Sequence, residues 1–446
     1  MSTAPATTLH AAERLTPDDD LFVRMEHAIG LAVVNQTLWR LPADYDTAIL
    51  TELADRLRVG RLGKLVRRRR IPVRDRWIHT PAAGRFHFSP TPVPSGETIH
   101  WADARAAEPV DSIHGPAWRL AAARVDDADG DILVSLICSH VIADGGATFA
   151  AFAEAFGDID FDTRDVLPGR VDEIREAATV LASAGRAAAG IVRAGGALAP
   201  QATGVNRRLP QADEPAERTP TGVPNHAVTV DEQAFLDTAA AAGGTANTLF
   251  IAIAVGVLAR TGRIHTGDEI GVNLPVSTRA DGDRRANATS AVTARIVVDD
   301  DRYADLGTIR AASKSAFASL RERPPSSQFG VLGQALGDKA IRRLTGSMTT
   351  PLCLVSNIGR LDHDFAALGG STPVSVVSRA VTPGADTETL RRWGGGISAW
   401  MSQSAGVFTL SFICLDPDAA ALPAALAELV HAELDRWGLP ANTWDR

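Results

Sequence analysis

The sequence predicts an α/β protein of the α+β type, built as two halves that each carry a mixed β-sheet with flanking helices. Three observations lead there. The chain has 446 residues, more than one hydrophobic core usually serves. Residues 200–224, PQATGVNRRLPQADEPAERTPTGVP, are rich in proline, glycine and charge and poor in apolar side chains, as a linker is. On both sides of that stretch, strand-like and helix-like segments mix without the regular alternation of a doubly wound sheet. The expected division is an N-terminal half over 1–185, a crossover helix and linker over 186–224, and a C-terminal half over 225–446.

Element by element, LFVRMEHAIGLAVV (21–34) has apolar positions at mixed spacing, whereas DTAILTELADRLRVGRLGKLVRR (46–68) has helical spacing. PAWRLAAARVDDADGDILVSLICSH (116–140) reads as a strand, an acidic turn through Asp126 to Gly130 and a second strand, a hairpin whose end delivers His140. ATFAAFAEAF (147–156) follows as a helix that packs small residues against a sheet, and 171–199 form an alanine-rich helical stretch. Beyond the linker the predicted strands are HAVTV (226–230), EIGVNLPVSTR (269–279), SAVTARIVV (290–298), PLCLVSN (351–357), PVSVVSRAV (373–381), GGISAWMSQ (395–403) and GVFTLSFICL (406–415). Helices are expected at DEQAFLDTAAAAGG (231–244), TANTLFIAIAVGVLARTGR (245–263), YADLGTIRAASKSAFASLRERP (303–324) and AALPAALAELVHAELDRW (420–437).

Composition narrows the function classes. Hydrophobic residues make up 45% and charged residues 22%, as in soluble globular proteins, and no run approaches the roughly 20 apolar residues of a membrane span. The first residues lack a basic region followed by an apolar core, so a cytoplasmic protein is expected. A formal net charge of -8 argues against general affinity for nucleic acid. Cys138, Cys353 and Cys414 each lie within an apolar run, far apart, and read as reduced core residues. One basic run, GKLVRRRRIPVRDRW, concentrates Lys64, Arg67, Arg68, Arg69, Arg70, Arg74 and Arg76. It reads either as a patch for cofactor phosphates or anionic lipid headgroups, or as the solvated charged face of a helix.

The chemistry is concentrated in SHVIADGG (139–146). The run before it, from Ile132 to Ser139, is mostly apolar on both faces, so His140 stands where a buried strand emerges. A neutral imidazole, with an ordinary pKa near ~6.5, accepts a proton from a hydroxyl at neutral pH and suits a general base. Asp144 holds the ring if the segment is helical; the glycines favour a tight turn instead, in which the carboxylate turns inward to brace the loop through an arginine. A metal site lacks further ligands at a suitable spacing, and a nucleophilic triad lacks a G-x-S-x-G elbow. A histidine that merely ends a strand is the bland alternative.

The HxxxDG stretch resembles the active-site signature of the chloramphenicol-acetyltransferase-like superfamily of CoA-dependent acyltransferases, which includes nonribosomal peptide condensation domains. RLTPDDDLFVRME, EPVDSIHGPAWRL, NLPVSTR followed by ANATSAVTARI, and LCLVSNIGRLD look like blocks of the bacterial wax ester synthase/diacylglycerol acyltransferase family, in that family's order and across nearly the whole chain. The resemblance implies two chloramphenicol-acetyltransferase-like halves with an active-site channel between them. It makes His140 the base, Asp144 a structural aspartate, Arg279 its ion-pair partner, and Gly145 a point of close backbone approach to substrate or to the second half. Asn287 and Asn357 fall on the family's asparagines. Asn357 is either a donor to the oxyanion or thioester, or a turn residue before Gly359. Ser139, Asn287 and Ser356 are expected to contact substrate. The sequence departs from the family at Ser139, where a second histidine is usual, which points to a changed pocket or a different acceptor.

The function this implies is transfer of a fatty acyl group from acyl-CoA to a hydroxyl acceptor, a long-chain alcohol or diacylglycerol. Acyl-CoA is a co-substrate and no cofactor or metal is expected. A monomer is expected, with peripheral contact at a membrane or lipid-droplet surface. A condensation-type enzyme with another alcohol or amine acceptor or a carrier-protein donor is one alternative, and a non-catalytic lipid-binding relative is another.

Overall fold

The computed structural model describes residues 13–127, 129–157, 168–193, 223–320, 331, 333–345, 350–419 and 423–444. Nearly all of the linker expected at 200–224 lies outside these residues. The described part holds two large mixed sheets with flanking helices, the α/β architecture predicted.

The first half supplies strands β1 (Val34–Leu41), β2 (Lys64–Arg67), β3 (Arg76–His79), β4 (Gly84–Phe88), β5 (Val93–Pro94), β6 (Trp118–Asp126) and β7 (Ile132–Ser139). Its helices are α1 (Pro17–Arg24), α2 (Ala48–Val59), α3 (Thr98–Ala106), α4 (Gly145–Phe156) and α5 (Arg170–Arg193). Beyond the linker come β8 (Asn225–Asp231), β9 (Glu269–Ser277), β10 (Thr289–Val297), β11 (Cys353–Arg360), β12 (Val376–Val381), β13 (Ile397–Ser404), β14 (Val407–Cys414) and β15 (Ala441–Thr443). The labelled helices there are α6 (Glu232–Ala241), α7 (Ala246–Arg260) and α8 (Gly307–Ser319).

The first sheet runs β12-β1-β7-β6-β4, and β5 adds to β6. Every residue of β7 is buried, because both its faces are covered. On one face, Leu136 and Cys138 pack with Trp39, Trp118 and the apolar sides of α2 and α4, including Leu53 and Phe152. On the other, Leu38, Leu133 and Ala123 pack against Ala102 of α3 and against Ala227, Val377 and Trp444 from the C-terminal half. All three cysteines are buried, Cys138 in this core and Cys353 and Cys414 in that of the second sheet, and the Cys138 thiol is pushed up to about 12 by desolvation.

β12 belongs by sequence to the C-terminal half yet pairs antiparallel with β1, from Val34↔Val381 to Trp39↔Val376. The preceding helix His363–Ala366 goes with it: Phe365 packs against Trp39 and Phe152, and the Trp39 indole donates to the Phe365 carbonyl at 2.9 Å. Arg379 of β12 then reaches Asp103 of α3 at 2.6 Å and Gln36 of β1 at 2.8 Å. The C-terminal chain is thereby built into the first core.

The second sheet runs β10-β9-β11-β13-β14-β8-β15. Its central helix α7 starts at a capping box between Thr245 and Thr248, and Leu249 to Val255 are fully buried. An apolar run without a polar stripe belongs inside, and α7 packs between the sheet and the helix Pro423–Arg436. Among the described residues no single helix is long and apolar enough to cross a membrane; α6 and α7 pass that test only as a pair bent by 86°.

The helix expected over 46–68 ends at Val59, and Lys64–Arg67 form a strand instead. The glycines decide it: a Cβ on Gly63 would lie 1.9 Å from the Arg58 carbonyl oxygen, so the chain reverses there and pairs with β3. The basic run is therefore not one face of a helix. Lys64 is buried over the Trp77 ring at 4.4 Å. Arg68 pairs with Asp75 at 2.9 Å, Arg69 with Glu173 and Arg74 with Glu176, so α5 carries two of the neutralising carboxylates. Of the seven basic residues only Arg67 and Arg70 are exposed.

Candidate active site

His140 immediately follows β7. Its backbone N–H donates to the Val33 carbonyl at 2.9 Å, which fixes where the side chain leaves the sheet. The ring stacks on Phe22 of α1, with centroids 3.9 Å apart and planes 17° from parallel. Burial of the ring pushes its pKa below the ordinary histidine value, against the pull of Asp144, Asn287 and Asp19 toward the charged form. The resting imidazole is neutral at physiological pH.

Which nitrogen then carries the proton follows from Asn287. Its Nδ2 donates to Asp19 Oδ1 at 3.0 Å and to the Val141 carbonyl at 3.1 Å, two groups that only accept. That sets the amide's orientation and leaves Asn287 Oδ1 facing His140 Nδ1 at 2.9 Å. An amide oxygen cannot donate, so Nδ1 holds the hydrogen and Nε2 keeps a free lone pair. Asp19 is held in turn by the capping box of α1, in which it accepts from the Thr16 N–H at 2.9 Å, and it takes a third bond from the Asn287 N–H at 2.9 Å. Burial pushes the Asp19 carboxyl up, and these donors oppose that shift.

Asp144 braces the loop. It is the N-cap of α4: Oδ1 accepts from the Ala147 N–H at 2.7 Å and from Arg279 Nη2 at 2.7 Å. Oδ2 accepts from the Ala288 N–H at 2.7 Å and the Thr289 hydroxyl at 2.9 Å. The segment is a turn rather than a helix, so Asp144 does not reach the His140 ring by hydrogen bond and instead turns to the arginine. Arg279 also donates to the carbonyls of Arg285 at 2.9 Å and Asp283 at 3.2 Å, and so shapes the whole β9–β10 connection, residues 278–288. One loop of the second half thus carries both Arg279 and Asn287 onto the loop of the first half that carries Asp144 and His140.

Several expectations change here. Gly145 was expected to permit close approach to substrate or to the second half; of the two glycines, the close fit to the second half is at Gly146, where a Cβ would lie 2.9 Å from Arg279 Nε, whereas a Cβ on Gly145 would meet no protein atom within 4 Å. Asn287 was expected to contact substrate, yet every polar atom of its side chain is used within the protein, so it positions His140 instead. Ser139, also expected at the substrate, is buried and donates to Glu26 Oε2 at 2.7 Å, while Glu26 Oε1 accepts from the Ser112 N–H at 3.0 Å. Against the upward push of burial, His27 first and then the Ser112 and Ser139 bonds hold the Glu26 carboxyl below the usual carboxylate range.

Asn357 is exposed near the end of β11. Its Oδ1 accepts from the Gly359 N–H at 2.9 Å, the turn geometry, and Nδ2 donates to Asn247 at 3.3 Å; Gly359 takes a left-handed φ of 88°. No hydrogen bond among the described residues links Asn357 or the half-buried Ser356 to the His140 network. Two residues that the sequence did not single out, Asp19 and Phe22, complete the site. A legible cue existed in TPDDD: a threonine, a proline at the first helical position and an acid three residues after the threonine mark the capping box that fixes Asp19.

The paired halves, with a loop of the second closing on an HxxxDG turn of the first, define the two-lobed fold shared by condensation domains and chloramphenicol-acetyltransferase-like acyltransferases. Solved structures of that architecture are similar over almost the full chain. The wax ester synthase/diacylglycerol acyltransferase from Marinobacter aquaeolei VT8 gives a TM-score of 0.54 at 14% identity, over 95% of this chain and 98% of that one. The first condensation domain of the calcium-dependent antibiotic synthetase, in complex with a substrate analogue, gives 0.58 at 14% identity, over 98% and 99%. The condensation domain of the Monacolin K polyketide synthase gives 0.54 at 13% identity, over 95% and 97%. At these identities the likeness establishes the fold. No family model matches the sequence, and no curated protein sequence matches it.

Proposed function

We propose that the protein is an acyltransferase that moves a fatty acyl group from acyl-CoA to a hydroxyl acceptor, with His140 Nε2 as the general base. The observation that carries the reading is the Asp19–Asn287–His140 chain of hydrogen bonds, which leaves a neutral imidazole with its lone pair on the nitrogen not held by the protein. A structural histidine at a strand end needs no such fixing of its tautomer. In the reaction the acceptor oxygen attacks the thioester carbonyl carbon as its proton passes to Nε2. The tetrahedral intermediate then collapses, the C–S bond breaks, and the departing thiolate takes the proton back. A thioester is already activated, so an aligned base and the exclusion of water supply most of what is needed.

The acceptor classes expected are a long-chain alcohol and diacylglycerol, with acyl-CoA as the only co-substrate. The condensation domains among the similar structures support a second reading, in which the same base serves another alcohol or an amine and the donor is carrier-linked. A panel of acyl-CoA donors against long-chain alcohols, diacylglycerol and polar amines, read by mass spectrometry of the products, separates these. An ester of a lipid alcohol supports the first reading. Amide formation, or turnover only with a carrier-bound donor, replaces it with the second.

A further inference from the structure

The arginines that the sequence makes conspicuous, in the run 64–76, are largely neutralised within the protein. A different group is not. On the edge of the first sheet, a cavity of about 350 Å³ is lined by Arg85, His87, Arg105, Glu108 and Arg119. That volume is at the lower end of small-ligand pockets, which run from roughly 300 to 1,000 Å³. β4 and β6 are parallel neighbours with Arg85 opposite Arg119, so the two guanidinium groups rise side by side, and the end of α3 brings Arg105 to the same place.

The charges there do not balance. Arg105 pairs with Glu108 at 3.0 Å, and Arg119 shares the same carboxylate at 3.7 Å while donating to the Pro109 carbonyl at 2.9 Å. Among the described residues Arg85 has no ion-pair partner. Three arginines against one glutamate leave two positive charges in one concavity. The Arg105 Nε atom is buried and makes no hydrogen bond, although burying a donor without a partner is costly. Its guanidinium lies 5.7 Å from the Trp101 ring, which helps to hold it in place.

We propose that this cavity binds a phosphate group. A dianion matches the excess charge, and planar guanidinium groups bind phosphate oxygens in paired hydrogen bonds. The exposed His87 imidazole on β4 adds a further nitrogen at the rim. The phosphate is either a free anion or part of a larger ligand. Arg119 pairs across the sheet with Ile137, three residues before His140, so the cavity and the candidate base belong to the same sheet. Where the phosphate is part of a larger ligand, that ligand is the acyl donor molecule; only that source rests on the acyltransfer reading.

The test is equilibrium binding to the full chain, which needs no turnover and therefore fails independently of the proposed activity. Inorganic phosphate, pyrophosphate and CoA are titrated by calorimetry into wild type, Arg85→Ala, Arg119→Ala and Glu108→Gln, with folding checked by circular dichroism. Arg85 lies on the exposed side of an edge strand, so its replacement keeps the fold even where that of Arg119 does not. The expected result is about tenfold weaker binding on loss of either arginine, and tighter binding in Glu108→Gln, where the competing carboxylate is gone. Tight binding of pyrophosphate and CoA alike assigns a free anion; a strong preference for CoA that Arg85→Ala abolishes assigns the donor. No binding of any probe, or binding that Arg85→Ala and Glu108→Gln leave unchanged, overturns the proposal.

Discussion

Asn287 Oδ1 lies 2.9 Å from His140 Nδ1, and no other orientation of the Asn287 amide satisfies both Asp19 and Val141. A residue from the second half thus decides which nitrogen of a first-half histidine is basic. Asn287→Ala should lower kcat by about 10²-fold while KM moves only a few-fold, because it removes orientation from the base without touching a bound substrate. Asp19→Asn, one bond further away, should lower kcat by about tenfold. Equal losses in KM and kcat on steady-state analysis would place Asn287 at the substrate instead.

Gly146 and Gly145 are adjacent and should respond in opposite ways to alanine. A methyl at 146 must displace Arg279 Nε from 2.9 Å, whereas at 145 it enters open space. Gly146→Ala should cost about 1–3 kcal/mol in chemical denaturation, and Gly145→Ala should leave the unfolding midpoint close to wild type.

The Asp144–Arg279 pair is almost fully enclosed, with side-chain exposures of 3% and 11%. Arg279→Met would remove one of the four donors to this carboxylate together with its counter-charge, leaving it buried and uncompensated at a cost of about 3 kcal/mol. It also releases the Asp283, Arg285 and Ala286 carbonyls of the 278–288 loop that carries Asn287. Activity should therefore fall further than Asn287→Ala alone explains, measured at a temperature where both variants remain folded.

Histidine protonation gives a pH signature. Burial and the neighbouring His431, 3.2 Å away between Nε2 atoms, push His226 down to about 4. Above the ordinary value near ~6.5 both the folded and unfolded chains hold it neutral, so it contributes nothing. As pH falls from there toward 4, the unfolded chain takes up a proton that the folded chain resists, and stability is lost across that window. His226→Gln should flatten the decline in urea midpoint between pH 7 and pH 4.5. The His140 pKa is lowered in the same direction, so the acid limb of the rate profile should fall below pH 6.5.

Much of this was legible in the sequence where patterns are local. The hairpin ending at His140, the turn at Asp144 and most strands after the linker follow from alternation, glycines and acidic turns. What was hidden depends on chain segments far apart. Nothing in VVSRAV says that it will pair with β1, more than 300 residues earlier, since an apolar strand fits either sheet equally well. Asn287 and Ser139 read as substrate contacts because residue type alone cannot show that their hydrogen-bonding capacity is already used by Asp19, Val141 and Glu26. The basic run misled for a related reason: its partners Glu173, Glu176 and Asp338 come from other parts of the chain.

Whether His140 is the base is decided by acceptor-dependent release of free CoA, measured side by side for wild type and His140→Ala with folding confirmed for both. Release by wild type should require the acceptor and fall by about 10²-fold or more in the variant. Acceptor-dependent release that survives unchanged in His140→Ala would contradict the assignment of His140 as the base.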